Sequence, residues 1–397
     1  MVENGPQVSV AWDSSTTIEW LLKKGRLLGS IDKLTHQLGH QLLAAGAPLW
    51  RFRVSMRTLH PLVAASTCIW ERDEKFIPPV ETGHGVELRS EYIGSPFEAI
   101  ARSRSSFRRR LEGPLSEAEH TVLHEIKARG GTDYFGLPLE FTEGAMAIMA
   151  CSTDRPGGFS DTDLLQMEKI AAVLAPIAEV FSEKKVSCAV ANAYLGRRTG
   201  QRVLSGQITR GNIEKINAAI MISDVRDWTG INIRLPGDEA LALVNRYFEI
   251  LADAVEHNGG ELLKFIGDSI LAIFPLEGDS CQAADVCEKA LLAAQQAVRV
   301  ARHSEPALGL DFGIGIHFGE VYYGNIGSST RIDFTVMGQA VNTTARMESL
   351  CRKINQPILL SEDFASQLKQ ATVQVAEEMV KGYAEPFRIL TTVQEQP

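Results

Sequence analysis

Long apolar runs are missing from this 397-residue chain. Charges interrupt every hydrophobic stretch before it reaches the roughly 18 residues that a membrane span needs. The opening MVENGPQVSVAWDSS has neither the basic nor the apolar region of a secretory leader, so a soluble, cytoplasmic chain is expected. Paired cysteines are missing too. Cys68, Cys151, Cys188, Cys281, Cys287 and Cys351 form no C-x-x-C pair, which leaves a zinc ribbon or thioredoxin-type motif without support. They read as reduced thiols. Positive charge is in deficit: 40 Lys and Arg against 49 Asp and Glu give a net charge of −9, so general binding of nucleic acid is not expected. There is no internal repeat and no low-complexity tract. What remains is ordinary globular usage, 45% hydrophobic and 22% charged, in a chain long enough for two or three domains.

Pattern divides the chain. Residues 1–15 read as a loose arm. Residues 16–46 carry a helical stripe of Ile31, Leu34, Leu38, Leu42 and Leu43. Strand-like runs follow at Pro48–Met56 and Leu62–Trp70, then a mixed segment over 71–115. Tyr134–Phe141 and Ala145–Cys151, joined by Thr142-Glu143-Gly144, suit a hairpin. Ser160 or Asp161 caps a long helix running from Asp163 to about Tyr194. Its mixed faces favour pairing with a copy of itself. The second half alternates strands (Ala218–Val225, Leu262–Ile266, Ser269–Phe274, Leu308–Phe318, Ile332–Val336, Pro357–Leu360) with helices (Asp238–His257, Cys281–His303, Ala340–Lys353). An α+β module followed by an α/β sandwich is expected.

Three stretches of the second half carry chemistry. In Ala219-Ile-Met-Ile-Ser-Asp-Val-Arg226 an apolar strand ends in Asp224, either a turn residue or a strand-end metal ligand. In Glu261-Leu-Leu-Lys-Phe-Ile-Gly-Asp268 and the strand after it, Gly267-Asp268 marks a hairpin tip. There Asp268 could meet Asp224, and two hard oxygen ligands suit Mg²⁺. Lys264 sits inside an apolar strand, where it either faces outward or has a task. In Arg331-Ile-Asp-Phe-Thr-Val-Met-Gly338 a strand breaks and a helix begins, with Asn342 and Arg346 four apart on one face. That face is either surface polarity or a donor set for phosphate.

Taken together, these motifs over residues 216–395 resemble the catalytic domain of class III nucleotidyl cyclases. The stretch Gly315–Gly327 resembles the strand pair between the second and third motifs. The resemblance implies a ferredoxin-like βαββαβ sandwich. It also implies that Asp224 and Asp268, with the Val225 carbonyl, hold two Mg²⁺ or Mn²⁺ ions per active site. Lys264 and Thr335 would read the purine, and a Lys/Thr pair implies ATP and the class IIIb subgroup, some of whose members respond to bicarbonate. Asn342 would orient the ribose and Arg346 would stabilise charge on the phosphates. The implied reaction is ATP to 3′,5′-cyclic AMP and pyrophosphate at sites shared across a homodimer, with guanylate cyclase or a non-catalytic sensor as alternatives. All six side chains are present. Asp227 departs from a frequent Gly, and Gln339 from a frequent Asp.

The first half is similar to GAF domains, which implies a small-molecule ligand and regulation. The expected layout is an arm (1–15), a GAF-like regulatory domain (16–182), a signalling helix and transducing segment (183–215) and the catalytic domain (216–397). Gly259-Gly-Glu-Leu262 has a diguanylate-cyclase flavour but lacks the second acid. Arg102, Arg104, Arg108, Arg109 and Arg110 read as a solvated face, and His317 and Trp228 as packing residues.

Overall fold

The helical stripe expected over residues 16–46 breaks in two. A computed structural model, which describes residues 12–58, 63–74, 76–278, 282–304, 309–379 and 386–393, places α1 at Ser15–Lys23 and α2 at Ile31–Ala44. A short 3₁₀ turn and Gly29, at φ +79°, separate them. Glycine at positive φ ends a helix without a steric penalty. The expectations placed on residues 1–11, Leu62, Cys281 and Leu308 lie outside the described residues. The chain divides into two units, Met1–Ala193 and Tyr194–Pro397.

In the first unit the strands are β1 (Arg51–Arg57), β2 (Ala65–Glu71), β3 (Val80–Thr82), β4 (Phe107–Arg110), β5 (Asp133–Glu140) and β6 (Met146–Thr153). Helices α3 (Pro96–Ser103), α4 (Thr121–Ala128) and α5 (Asp161–Leu195) complete it. The strands form one antiparallel sheet in the order β3-β2-β1-β6-β5-β4, and β5 and β6 make the expected hairpin. Alternation along β1 sends Phe52, Val54 and Met56 into a core with Leu34, Leu38 and the first half of α5. The opposite face packs Leu123 and Ile126 of α4 over Tyr134 and Ala150. This is an α+β layout. Ser160, rather than Asp161, caps α5: its hydroxyl accepts from the Asp163 N–H, and the Asp163 carboxylate accepts from the Ser160 N–H. From Glu183 onward no residue of α5 is buried.

The arginine-rich stretch is the expected solvated face only in part: Arg102, Arg104 and Arg110 are exposed, but Arg108 and Arg109 are half-buried. Arg108 pairs with the fully buried Asp133 at 2.8 Å, and Arg109 clamps Glu119. A guanidinium can reach inward along its apolar stem, which a charge count along the sequence does not reveal.

The second unit opens with α6 (Arg197–Leu204). It continues through β7 (Ile213–Val225), α7 (Trp228–Arg234), α8 (Gly237–His257), β8 (Glu261–Ile266), β9 (Ser269–Pro275), α9 (Ala283–Arg299) and β10 (Phe312–Gly327). The rest is β11 (Ile332–Met337), α10 (Gln339–Ile354), β12 (Ile358–Ser361), α11 (Glu362–Ala365), β13 (Thr372–Glu378) and β14 (Phe387–Thr392). The sheet order is β13-β14-β12-β10-β7-β9-β8, with β11 paired to β10. The segment β7-α8-β8-β9-α9-β10 is therefore a βαββαβ unit with antiparallel neighbours β10-β7-β9-β8, the ferredoxin-like arrangement expected.

One expectation fails here. Gly315–Gly327 is not a strand pair but lies within the single long strand β10, paired with β7 from Phe312 to Gly324. Its glycines are spacers rather than turns. A Cβ on Gly315 would come within 2.6 Å of the Glu348 backbone nitrogen, so Gly315 lets α10 lie close on the sheet.

Candidate active site

Asp224 ends β7 because the strand stops there: Val225 pairs with Phe312, and the chain then turns through Asp227 at φ +58°. That left-handed backbone is the physical reason a glycine suits the position. Asp227 tolerates it, and its carboxylate lies 3.4 Å from Arg234. Arg226 fixes the turn. Its guanidinium donates to the carbonyls of Cys351 and Gln356 at 3.2 and 2.9 Å and pairs with Asp311 at 3.1 Å.

Asp268 arrives from the neighbouring hairpin. Gly267, at φ +64°, and Asp268 form a two-residue loop closing the Ile266–Ser269 pair. Register puts Ser269 opposite Asp224, and the Ser269 hydroxyl donates to Asp224 Oδ1 at 2.8 Å. Below them the buried Tyr247 hydroxyl donates to Ser223 at 2.8 Å. The two aspartates are thus brought together, as the sequence suggested.

A cleft of about 470 Å³ opens over them, lined among others by Asp224, Val225, Trp228, Asp268, Glu348 and Arg352. Trp228 also packs against the core of this unit. Glu348 was not anticipated. It lies two residues beyond Arg346, which turns it by about 200° to the other side of α10. Burial and the neighbouring Asp224 push Asp268 up to about 6. Burial, Asp224 and Asp268 push Glu348 up to about 7, against the pull of Arg226. Such crowding of acids favours a cation.

The donor set fits Mg²⁺ or Mn²⁺. It consists of two hard carboxylates and one carbonyl at the mouth of an open cleft. Among the described residues no group of three or more His, Cys, Asp or Glu side chains is arranged to hold a metal ion. An incomplete protein set leaves positions for water and phosphate, as Mg²⁺ requires.

Lys264, Thr335, Asn342 and Arg346 do not line this cleft. Lys264 lies beside a register shift in β8, and its ammonium pairs with Asp333 at 3.4 Å. Thr335 follows Asp333 by two, so strand alternation sets both on one face of β11, and Thr335 is buried. Asn342 is exposed and Arg346 partly so, while Thr343, Thr344 and Met347 of α10 turn to the sheet. Within one chain, then, the cleft gathers the two aspartates and leaves out the other four named side chains.

Two further groups escaped the sequence reading. Asp333 is the partner that explains a lysine inside β8. Glu261, only 5% exposed, accepts from the hydroxyls of Thr199 and Tyr323, both at 2.6 Å, and so ties α6 to β8 and β10. Its role is structural, which accounts for the Gly-Gly-Glu motif without cyclic-dinucleotide chemistry. His317 is buried and bonds the Ser361 hydroxyl at 2.9 Å, as a packed core histidine would. Among the described residues Cys68, Cys151, Cys287 and Cys351 are buried free thiols, and no helix is long and apolar enough to cross a membrane.

Residues 212–389 match the family described as the adenylate and guanylate cyclase catalytic domain. An adenylate cyclase of Anabaena cylindrica is 31% identical over 153 residues, covering 38% of this chain and 30% of that protein. An uncharacterised protein of Mycobacterium tuberculosis is 30% identical over 186 residues, 46% of this chain and 32% of that one. The solved structure of a bacterial light-regulated adenylyl cyclase is 30% identical, covering 45% of this chain and 91% of that chain at a TM-score of 0.39. The chain spans 11% to 33% of the length of the curated relatives it matches.

Proposed function

Because residues 212–389 form a class III nucleotidyl cyclase catalytic domain, we propose that the chain is an adenylate cyclase. It converts ATP to 3′,5′-cyclic AMP and pyrophosphate, as a homodimer regulated by its first unit. The observation that carries the choice of purine is Lys264, held by Asp333 on the same face of the sheet as Thr335. An ammonium donates to the unprotonated N1 of adenine. Against guanine it meets an N–H, and both sides are donors.

In this reading Asp224 and Asp268, with the Val225 carbonyl, hold two Mg²⁺ or Mn²⁺ ions per site. Ions held by these residues would supply the Lewis acidity that lowers the pKa of the ribose 3′-hydroxyl and the charge that offsets the triphosphate. The chain itself positions the reactants. Lys264 and Thr335 fix the adenine, Asn342 holds the ribose, and the Arg346 fork takes the charge that develops on the phosphates. The 3′-oxygen gives its proton to water and bonds to the α-phosphorus as the bond to pyrophosphate breaks. No protein nucleophile is needed. The separation of the two residue groups supports sites completed by a second chain: one copy supplies the aspartates, its partner the purine, ribose and phosphate contacts.

The α+β layout of the first unit supports a GAF-like regulatory domain. The unburied end of α5 supports pairing of residues 183–195 between copies as the signalling segment.

The test is product formation by the full chain from ATP and from GTP, with Mg²⁺ or Mn²⁺, beside Asp268→Ala. Cyclic AMP lost in the variant is expected. Cyclic GMP as the main product would replace the purine assignment, and no product with either metal would favour a non-catalytic sensor.

A further inference from the structure

Lys264 faces β11 because β8 carries one extra residue. Residues level with each other on antiparallel strands share a face of the sheet. Glu261 is level with Ile273 and Leu262 with Ala272; the register then shifts, leaving Lys264 level with Leu271 and Phe265 with Ile270. Ile273 and Leu271 belong to the core cluster that contains Phe334 and Val336 of β11. Ala272 and Ile270 belong to the cluster on the other face, with α8 and α9. Strict alternation from Glu261 would send Lys264 to that other face, beside Leu262. The bulge at Leu263 reverses this. It sets Glu261, Leu263 and Lys264 together on the β11 face, and it sends Phe265 back to α8, where its ring centre lies 4.4 Å from that of Phe248.

The residues just before the bulge are gripped by α6. One oxygen of the buried Glu261 carboxylate accepts from the Thr199 hydroxyl and the other from the Tyr323 hydroxyl, both at 2.6 Å. Gly196, which precedes α6 at φ +80°, is pressed on the next peptide: its Cβ would stand 3.3 Å from the Leu262 carbonyl oxygen. The Arg202 guanidinium lies 5.0 Å from the centre of the Tyr323 ring and 5.8 Å from that of Phe334. Tyr323 is level with Val336, and Phe334 stands between Asp333 and Thr335. So α6 holds the strand that carries Lys264 and the strands that carry Tyr323 and Thr335. A bulge is the soft point of a ladder, and a slip of one residue there turns every later side chain to the opposite face.

We infer that the Thr199–Glu261–Tyr323 cluster holds the β8 bulge in register and so positions Lys264 for the purine. Glu261 is a positioning residue of the nucleotide site, acting through Lys264 and touching no substrate. The inference rests on the reading of Lys264 as a purine contact.

The experiment uses the full chain as wild type, Thr199→Val, Tyr323→Phe, Glu261→Gln and Lys264→Ala, with each of the first two also combined with Lys264→Ala. kcat and KM are measured for ATP and GTP. Thr199→Val and Tyr323→Phe each remove one hydroxyl from the cluster. Each should raise KM for ATP about two- to tenfold, leave kcat nearly unchanged and narrow the preference for ATP over GTP. Glu261→Gln still offers an oxygen to the hydroxyls and should keep most of that preference. Added to Lys264→Ala, the two hydroxyl deletions should change the preference no further. Hydrogen exchange over residues 261–266 reads the same cluster without turnover, and should quicken in both variants. Should one variant fail to show a cooperative melt, the other decides. An unchanged preference and unchanged exchange overturn the inference, as does a fall in kcat alone that is equal for both nucleotides. A preference that Lys264→Ala leaves untouched overturns the purine reading itself, and this inference with it.

Discussion

The two units gather charge of opposite sign. In the second, Asp224, Asp268 and Glu348 crowd one cleft, with Arg226 the cation that acts on them. In the first, Arg51 and Arg129 share the single carboxylate of Glu71. The negative cluster lies at a cleft mouth, where strands end and a hairpin turns. The positive one joins the start of β1 to the end of α4. The contrast teaches that like charges left together at a cleft mouth call for a counter-charge from outside, whereas the arginines of the first unit find theirs in Glu71.

The sharpest way to break this contrast is to remove charge from the cleft. Asp268→Ala should lower cyclic nucleotide formation by at least about a hundredfold, measured as product by chromatography, while cooperative unfolding persists. Retained turnover would separate the acidic cleft from the chemistry.

A pH series sharpens it next. Asp268 and Glu348 have folded values near 6 and 7, above the roughly 4.3 or less of an exposed carboxyl. In the metal-free chain the folded state therefore binds more protons than the unfolded one. The stability these groups contribute is fully present below about pH 4 and is lost as pH rises through 6 to 7. Asp268→Asn and Glu348→Gln should then raise the unfolding temperature of the metal-free chain at pH 8 and leave it nearly unchanged at pH 4. Mn²⁺ affinity of the wild type, by isothermal titration, should climb by up to about tenfold per unit below pH 6 and level off above 7.

A smaller effect is expected at α6. Glu261→Ala leaves the buried hydroxyls of Thr199 and Tyr323 without their acceptor and should cost about 1–3 kcal/mol in urea unfolding. Smallest is Asp333→Asn. Lys264 and Asp333 side chains are 30% and 53% exposed, so their pair is weak, and its loss should narrow the preference for ATP over GTP only a few-fold.

How much of this was legible in the sequence depends on where a residue sits. Asp224 and Asp268 could be read because a strand end and a Gly-Asp tip are local signals, and antiparallel pairing joins them. The βαββαβ order was implied by the resemblance to class III nucleotidyl cyclases, whereas periodicity alone gave only an α/β sandwich. Glu348 was not, because it belongs to a helix whose readable face carries Asn342 and Arg346, and only the close approach at Gly315 brings the other face to the cleft. Asp333 was hidden because a strand acid at an exposed position has no distinguishing pattern until Lys264 is beside it. Gly315–Gly327 was misread because glycine marks both turns and close contacts. In the first unit, Arg108 was read as solvated because a charge count along the sequence does not show the buried Asp133 that takes it.

The shared-site account rests on the division of the named residues into two groups within one chain. It is tested most directly by mixing two inactive variants, Asp268→Ala and Arg346→Ala. Random pairing makes half the dimers mixed, each with one intact site of two. The account predicts recovery of roughly a quarter of wild-type cyclic AMP formation. Two variants that stay inactive when co-refolded or co-expressed, although they associate, would contradict it.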